Sequence, residues 1–74
     1  MYIINEYQTN NGSTAIVTPA TRVDHNSALS AFFSRCASAV ISGVEIHTVQ
    51  LVRSDGFVER TECFRHDVEA AAEN

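Results

Sequence analysis

All five basic residues of this 74-residue chain are arginines. Arg53, Arg60 and Arg65 fall in one predicted hairpin, with His47 and His66 close to it in sequence. A guanidinium group is a planar fork that binds phosphate through two parallel hydrogen bonds. These five residues are therefore the candidate ligand-binding set, and the ligand class that fits them is a phosphorylated or cyclic nucleotide.

Two simpler explanations stand beside that hypothesis. The arginines could form cross-strand ion pairs with Glu45, Glu59 and Glu62, or they could reflect the codon bias of a GC-rich genome. Arg60 and Arg65 are also five residues apart, so their side chains point to opposite faces of a regular strand. One protomer cannot bring both to one ligand, so Arg60 or Arg65, but not both, should bind while the other forms a surface ion pair. In an oligomer each arginine is repeated by symmetry, and an arginine cluster at a subunit junction could then bind a phosphate group.

Strand pairing could bring His47 and Cys63 together, which would resemble a nucleophile and its base or half of a zinc site. Zinc needs four ligands, or three with water, and His25, His66 and Cys36 have no ligand spacing. A thiol nucleophile also needs an activating group and an oxyanion site, and neither has a sequence signature here. We expect no catalytic residue, no metal site, no cofactor and no enzyme activity, with both cysteines acting as small apolar residues.

Two hairpins supply the strands. Residues Tyr2–Thr9 and 13–18 are rich in β-branched and aromatic residues and flank Asn10-Asn11-Gly12, a strong hairpin signal. Pro19 should lie on a sheet edge or end the pairing. Residues 44–53 and 57–66 predict a second hairpin, which turns at Ser54-Asp55-Gly56.

A single amphipathic helix separates the two hairpins. Asp24 or Asn26 can serve as its N-cap, and Gly43 can end it. Its apolar positions follow helical spacing, at Leu29, Phe32, Phe33, Cys36 and Val40. The predicted fold class is α+β, in the order β-β-α-β-β, with a four-stranded antiparallel sheet and one helix packed on one face. Residues 1–66 form this domain, and 67–74 form an acidic, alanine-rich tail.

The sheet face without the helix is the predicted oligomer interface. In a hairpin with a three-residue loop, Val49, Leu51 and Phe57 share one face, while Val52 and Val58 lie on the other. Both faces are then partly apolar, and a monomer would leave one of them exposed. We assign Val49, Leu51 and Phe57 to the interface; a two-residue loop would shift the register by one and stays open.

Size and charge narrow the functional class. A domain of this size buries only about 60% of its surface, so self-association as a homodimer or higher oligomer is expected. The net charge of −4 argues against generic DNA binding. No apolar run reaches the roughly 18 residues of a membrane span. Met1 leads directly into Tyr2-Ile3-Ile4 without a basic leader, so we expect a cytoplasmic protein.

Over residues 1–66 the chain resembles a type of small protein encoded by phages and mobile elements of gut bacteria. The matching features are the initial hairpin (2–16), Thr18-Pro19, Asn26-x-Ala28-Leu29, Ala31-Phe32, Ala37-Ser38, Val44-x-Ile46-His47-Thr48-Val49, Asp55-Gly56 and Phe64-Arg65-His66. The resemblance implies a mobile-element context, in which short acidic proteins often inhibit host defence.

The expected function is therefore that of a non-enzymatic, homo-oligomeric binding protein that inhibits or regulates a host protein. The alternative is a protein that sequesters a phosphorylated or cyclic nucleotide at an arginine-lined subunit junction.

Overall fold

A computed structural model of the chain describes residues 1–66; the predicted tail, 67–74, lies outside the described residues. The elements are β1 (Tyr2–Asn10), β2 (Ser13–Arg22), α1 (His25–Val40), β3 (Ile46–Arg53) and β4 (Val58–Arg65). All strand pairs are antiparallel and form one sheet in the order β2-β1-β3-β4. The α+β fold class and the order β-β-α-β-β are confirmed.

The first hairpin turns where the sequence predicted. Asn11 and Gly12 both have positive φ, 52° and 80°, as a tight turn matched to the twist of the strands requires. β2 continues to Arg22, beyond the predicted end at Thr18. Pro19 is tolerated because β2 is an edge strand and the β1–β2 register shifts beside it, so pairing resumes at Ala20.

The N-cap of α1 is Asp24, the first of the two predicted candidates. Its Oδ2 accepts a hydrogen bond from the Ser27 N–H at 2.9 Å, which satisfies a backbone donor that the first helical turn leaves without a partner. The predicted glycine C-cap is wrong, because α1 ends at Val40 with Ile41 as its cap. Gly43 does not have a positive φ.

The core lies between α1 and the centre of the sheet. Three helix residues pack against three sheet residues, and all six side chains are fully buried. The helix residues are Ala28, Phe32 and Ala39, and the sheet residues are Ile4, Val49 and Leu51. The predicted apolar stripe is partly wrong, since Phe33 and Val40 are half-exposed. Each follows a buried residue, Phe32 or Ala39, by one position, and one position is about 100° around the helix, so both point away from the core.

A β-bulge sets the register of the second hairpin. Val52 lies opposite Val58, as a three-residue loop predicts, but Leu51 lies opposite Arg60, so Glu59 is an extra residue in β4. Every later pair is displaced by one residue. Phe64 is thereby brought to the face of the sheet that α1 covers, where it packs against the core.

Candidate functional site

The bulge separates the His–Cys pair that strand pairing was expected to bring together. His47 lies opposite Phe64, and Cys63 lies opposite Thr48, so the predicted His47–Cys63 neighbours are on opposite faces of the sheet. The prediction was wrong because it assumed an uninterrupted ladder. Cys63 is exposed, and the Thr48 hydroxyl donates to its Sγ at 3.6 Å.

Two of the three predicted interface residues belong to the core. Val49 and Leu51 are fully buried beneath α1 and present no surface to a second copy. This corrects their assignment to an interface: the strand face that carries them is the one the helix covers. Phe57 is different, because 56% of it is exposed at the end of the second hairpin.

The three predicted arginines occupy different surroundings. Arg53 lies at the β3–β4 turn, where Nη2 is 3.2 Å from Asp55 Oδ2 and the guanidinium lies 4.5 Å from the centroid of the Phe57 ring. Arg60 faces the helix side, 5.4 Å from the centroid of the Phe33 ring. Arg65 follows Phe64 and points to the other face, as the odd spacing of Arg60 and Arg65 predicted.

The two predicted histidines meet at the C-terminal end of α1. His47 Nδ1 lies 3.5 Å and His66 Nε2 lies 3.0 Å from the carbonyl oxygen of Ala39. A ring N–H that donates here satisfies a carbonyl at the negative end of the helix dipole. Since His47 is only 3% exposed, the five predicted ligand-binding residues do not line one pocket in a single protomer.

A buried charged cluster lies beneath the helix, and the sequence interpretation missed it. Glu6 of β1 accepts a hydrogen bond from Arg35 Nη1 at 3.2 Å, and its second oxygen lies 3.1 Å from His47 Nε2. Arg35 also donates to the Thr18 carbonyl at 3.2 Å. Although Glu6 Oε2 lies at 3.1 Å, His47 Nε2 is buried and forms no hydrogen bond with any described residue.

A sequence signal for this cluster was present in β1. Glu6 is two residues from Ile4, so both side chains lie on the same face of the strand, and Ile4 is a core residue. A charged residue in register with the core predicts a buried partner of opposite charge. The partner could not be chosen from sequence, because Arg35 comes from the helix, 29 positions away.

Two exposed phenylalanines, each stacked with an arginine, form the surface that we call the arginine–phenylalanine surface: Phe33 with Arg60, and Phe57 with Arg53. Phe33 is 50% exposed and Phe57 is 56% exposed. Each guanidinium group lies over its ring and is attracted to it by a cation–π interaction, which helps to hold the ring in place. Exposed aromatic and arginine side chains in contact are typical of the residues that dominate binding at protein interfaces.

An exposed contact between His25 and Glu59 lies next to Arg60 of this surface. His25, the first residue of α1, places Nε2 at 2.7 Å from Glu59 Oε2, and its ring packs against Tyr2 with the centroids 5.2 Å apart. Glu59 is the bulged residue of β4, so the bulge turns this carboxylate toward the helix start. The surface therefore combines aromatic rings with charges of both signs.

Cys36 is the thiol nearest the buried cluster. Its side chain is half-buried against the core. Burial raises the pKa of the Cys36 thiol, and the nearby carboxylates of Glu62 and Glu6 raise it further. The thiolate is thus disfavoured, which is the opposite of what an activated nucleophile needs.

Residues 1–66 hold neither a metal-binding group of side chains nor a membrane-spanning helix. No three His, Cys, Asp or Glu side chains there are grouped so that they could hold a metal ion. None of the helical residues described forms a helix long and apolar enough to cross a membrane. Comparison with family models, with curated proteins and with solved structures gave no match.

Proposed function

We propose that this chain is a small non-enzymatic binding protein that acts as a homo-oligomer and regulates a protein partner through the arginine–phenylalanine surface. In this proposal the protein is encoded by a phage or mobile element. Its partner is a host protein in the bacterial cytoplasm, and its effect is to inhibit host defence. The observation that supports the proposal is the pair of half-exposed phenylalanine rings, each held by an arginine.

The chemistry of this surface suits a protein partner. An exposed phenylalanine gains by burial against another apolar surface, at about 25 cal/mol for each Å² removed from water. The stacked arginines can donate to carbonyl and carboxylate groups at the rim of such an interface. Because Arg53 is already paired with Asp55 and Arg60 is over a ring, ring burial is the larger expected contribution.

A matched pair of double variants tests the proposal. Phe33→Ser with Phe57→Ser removes both rings of the surface, and Ile16→Ser with Val23→Ser removes two apolar side chains elsewhere, 69% and 85% exposed. The tagged parent and both variants are incubated with lysates of gut bacteria, and retained proteins are quantified by mass spectrometry. A protein retained by the parent is then purified, and its affinity is measured by calorimetry.

We expect the parent and the control variant to bind the recovered protein with similar affinity. The Phe33→Ser and Phe57→Ser variant should lose at least about 2 kcal/mol of binding free energy, as hot-spot truncations do. Equal affinity for all three chains would contradict the assignment of this surface.

The nucleotide alternative is tested in parallel by thermal unfolding with phosphorylated and cyclic nucleotides. A ligand present at about 100 times its Kd adds about 2.7 kcal/mol of stability. For a domain of this size, each kcal/mol raises the melting temperature by about 4–8 °C. A shift of that size with one nucleotide, together with no retained protein, would replace the proposed function by the sequestering one.

A further inference from the structure

The two edge strands of the sheet differ in how well they could pair with another strand. β2 contains Pro19, which lacks an N–H, and its register with β1 is irregular beside that residue. β4 pairs with β3 without interruption from Arg60 to Arg65. Within residues 1–66, no strand pairs with the outer edge of β4. Such an edge is a template for strand addition.

The backbone groups that point outward from β4 can be identified. The His66 N–H donates to the Glu45 carbonyl at 2.7 Å, so His66 faces inward toward β3. Inward and outward residues alternate along a strand of an antiparallel pair. Thr61, Cys63 and Arg65 therefore direct their N–H and C=O groups away from the sheet.

Charge selects one register for two copies that pair through this edge. A two-fold axis at Arg60, Glu62 or Arg65 places that charged residue opposite its own copy. An axis at Cys63 places Glu62 opposite Phe64, so no residues of opposite charge face each other. An axis at Phe64 would require pairing beyond Arg65, where β4 ends. Only an axis at Thr61 sets Arg60 opposite Glu62, twice, with no like charges opposed.

We propose that the outer edge of β4 binds the same edge of a second copy in antiparallel orientation, with the two-fold axis at Thr61. The two four-stranded sheets then become one eight-stranded sheet. This inference rests on the homo-oligomeric part of the proposed function and names its interface. Arg60, Thr61 and Glu62 are exposed and available to the second copy.

The geometry of this pairing agrees with the side chains around it. Thr61 would form a hydrogen-bonded pair with its copy, which makes the flanking Arg60–Glu62 pairs non-hydrogen-bonded ones, with closer side chains. Arg60 and Glu62 both lie on the helix side, opposite Leu51 and Val49. Glu62 forms no ion pair with a residue in the described part of its own chain.

The same axis explains how the dimer would support binding. It runs perpendicular to the sheet, so both helices lie on the same side of the extended sheet. Arg60 belongs to both features, because it stacks on Phe33 and faces the second copy. The arginine–phenylalanine surfaces of the two copies thereby lie on the same side of the extended sheet, where one partner could contact both.

Charge exchange tests the register. The mass of the parent, Arg60→Glu, Glu62→Arg and the double exchange is measured by light scattering and sedimentation over a range of concentrations. The parent should be a dimer of twice 8.1 kDa. Each single variant places like charges opposite each other and should weaken the dimer at least about tenfold. The double exchange restores opposite charges and should recover dimerisation.

A cross-link gives a second readout that does not depend on these charges. Thr61→Cys, in a chain with Cys36→Ser and Cys63→Ser, places two thiols at the axis, where Cα atoms of a hydrogen-bonded pair are about 5.5 Å apart. That separation permits a disulfide. Mild oxidation should yield a covalent dimer, and Thr21→Cys on the other edge, in the same background, should not.

The outcomes separate this inference from the proposed function. A dimeric parent that dissociates in neither single variant and does not cross-link at position 61 overturns the β4 interface but leaves the homo-oligomer intact. A monomeric parent at tens of micromolar overturns both the interface and the oligomeric part of the proposed function. The affinity of the Phe33→Ser and Phe57→Ser variant for a protein partner is a separate measurement, and it does not affect the interpretation of the dimer mass or the cross-link.

Discussion

Two histidine–glutamate pairs lie near opposite ends of α1, and they differ in burial far more than in distance. His25 and Glu59 are 2.7 Å apart, with side chains that stay 45% and 26% exposed. His47 and Glu6 are 3.1 Å apart, with side chains only 4% and 11% exposed. The shorter contact is the one in water, so distance alone does not rank their contributions to stability.

Burial makes the second pair the more consequential one. Water screens an exposed pair, which typically contributes about 0–1 kcal/mol. Glu6 and His47 are largely withdrawn from water, and Arg35 is partly so, with 24% of its side chain exposed. Removing one partner leaves a charged group of the cluster uncompensated in a largely dry environment. The cluster therefore holds β1, β3 and α1 in their relative positions, whereas the His25–Glu59 contact adds little stability at the start of the helix.

The largest expected effect is that of Glu6→Gln. It removes the carboxylate beside Arg35 and should lower the free energy of unfolding by about 2–3 kcal/mol. Glu59→Gln, the matched change in the exposed pair, should cost less than about 1 kcal/mol. Urea unfolding followed by circular dichroism measures both, and equal losses would refute the distinction drawn from burial.

The N-cap of α1 contributes to stability independently of the His25–Glu59 contact. Asp24→Ala removes the acceptor for the Ser27 N–H and should lower the free energy of unfolding by about 1 kcal/mol. Asp24→Asn keeps an acceptor and should cost only a fraction of that. If both substitutions cost the same, the cap acts through its charge on the helix dipole and not through the hydrogen bond.

The dependence of stability on salt concentration also distinguishes the exposed pair from the buried one. Raising the ionic strength from about 0.1 M to about 1 M shortens the screening length from about 10 Å to about 3 Å. Any contribution of charge to the stability difference between the parent and Glu59→Gln should then fall toward zero. The difference for Glu6→Gln should largely persist, because the Glu6 carboxylate is only 11% exposed and is therefore screened much less. A parallel fall of both differences would place Glu6 in solvent.

The smallest expected effect lies at the β3–β4 turn. The Phe57 N–H, at 3.1 Å from Oδ1, and the nearby Arg53 guanidinium hold the pKa of Asp55 below its ordinary value of 3.8. A depressed carboxyl pKa adds stability above 3.8, and this is lost as pH falls through the folded-state value. The difference in melting temperature between the parent and Asp55→Asn should therefore be present at pH 6 and shrink below pH 4; a constant difference would exclude the linkage.

Local signals predicted most of the architecture. Asn11-Gly12 requires the positive φ values of a tight turn, and Asp24 can satisfy a free N–H at a helix start. Such preferences depend on a few neighbouring residues, so they can be deduced from sequence. Element order and the α+β class followed from them.

Predictions that depended on a face or a register failed where a single residue altered it. The extra residue Glu59 separates His47 from Cys63, and it moves Phe64 to the core side. A bulge has no reliable sequence signal, and one inserted residue exchanges the faces of every position beyond it. The assignment of Val49 and Leu51 to an interface failed for a related reason: periodicity shows that residues share a face but not which face the helix covers.

The sequence by itself determined which residues prefer strand, turn and helix, because these preferences are set by dihedral angles and nearby hydrogen bonds. It also determined that Arg60 and Arg65 diverge, since strand side chains alternate. Only the tertiary structure decided that Glu6, Arg35 and His47 lie together. It also decided that Phe33 and Phe57 stay half-exposed, each with an arginine over its ring. Those contacts join residues far apart in the chain, and packing of the helix against the sheet selects them.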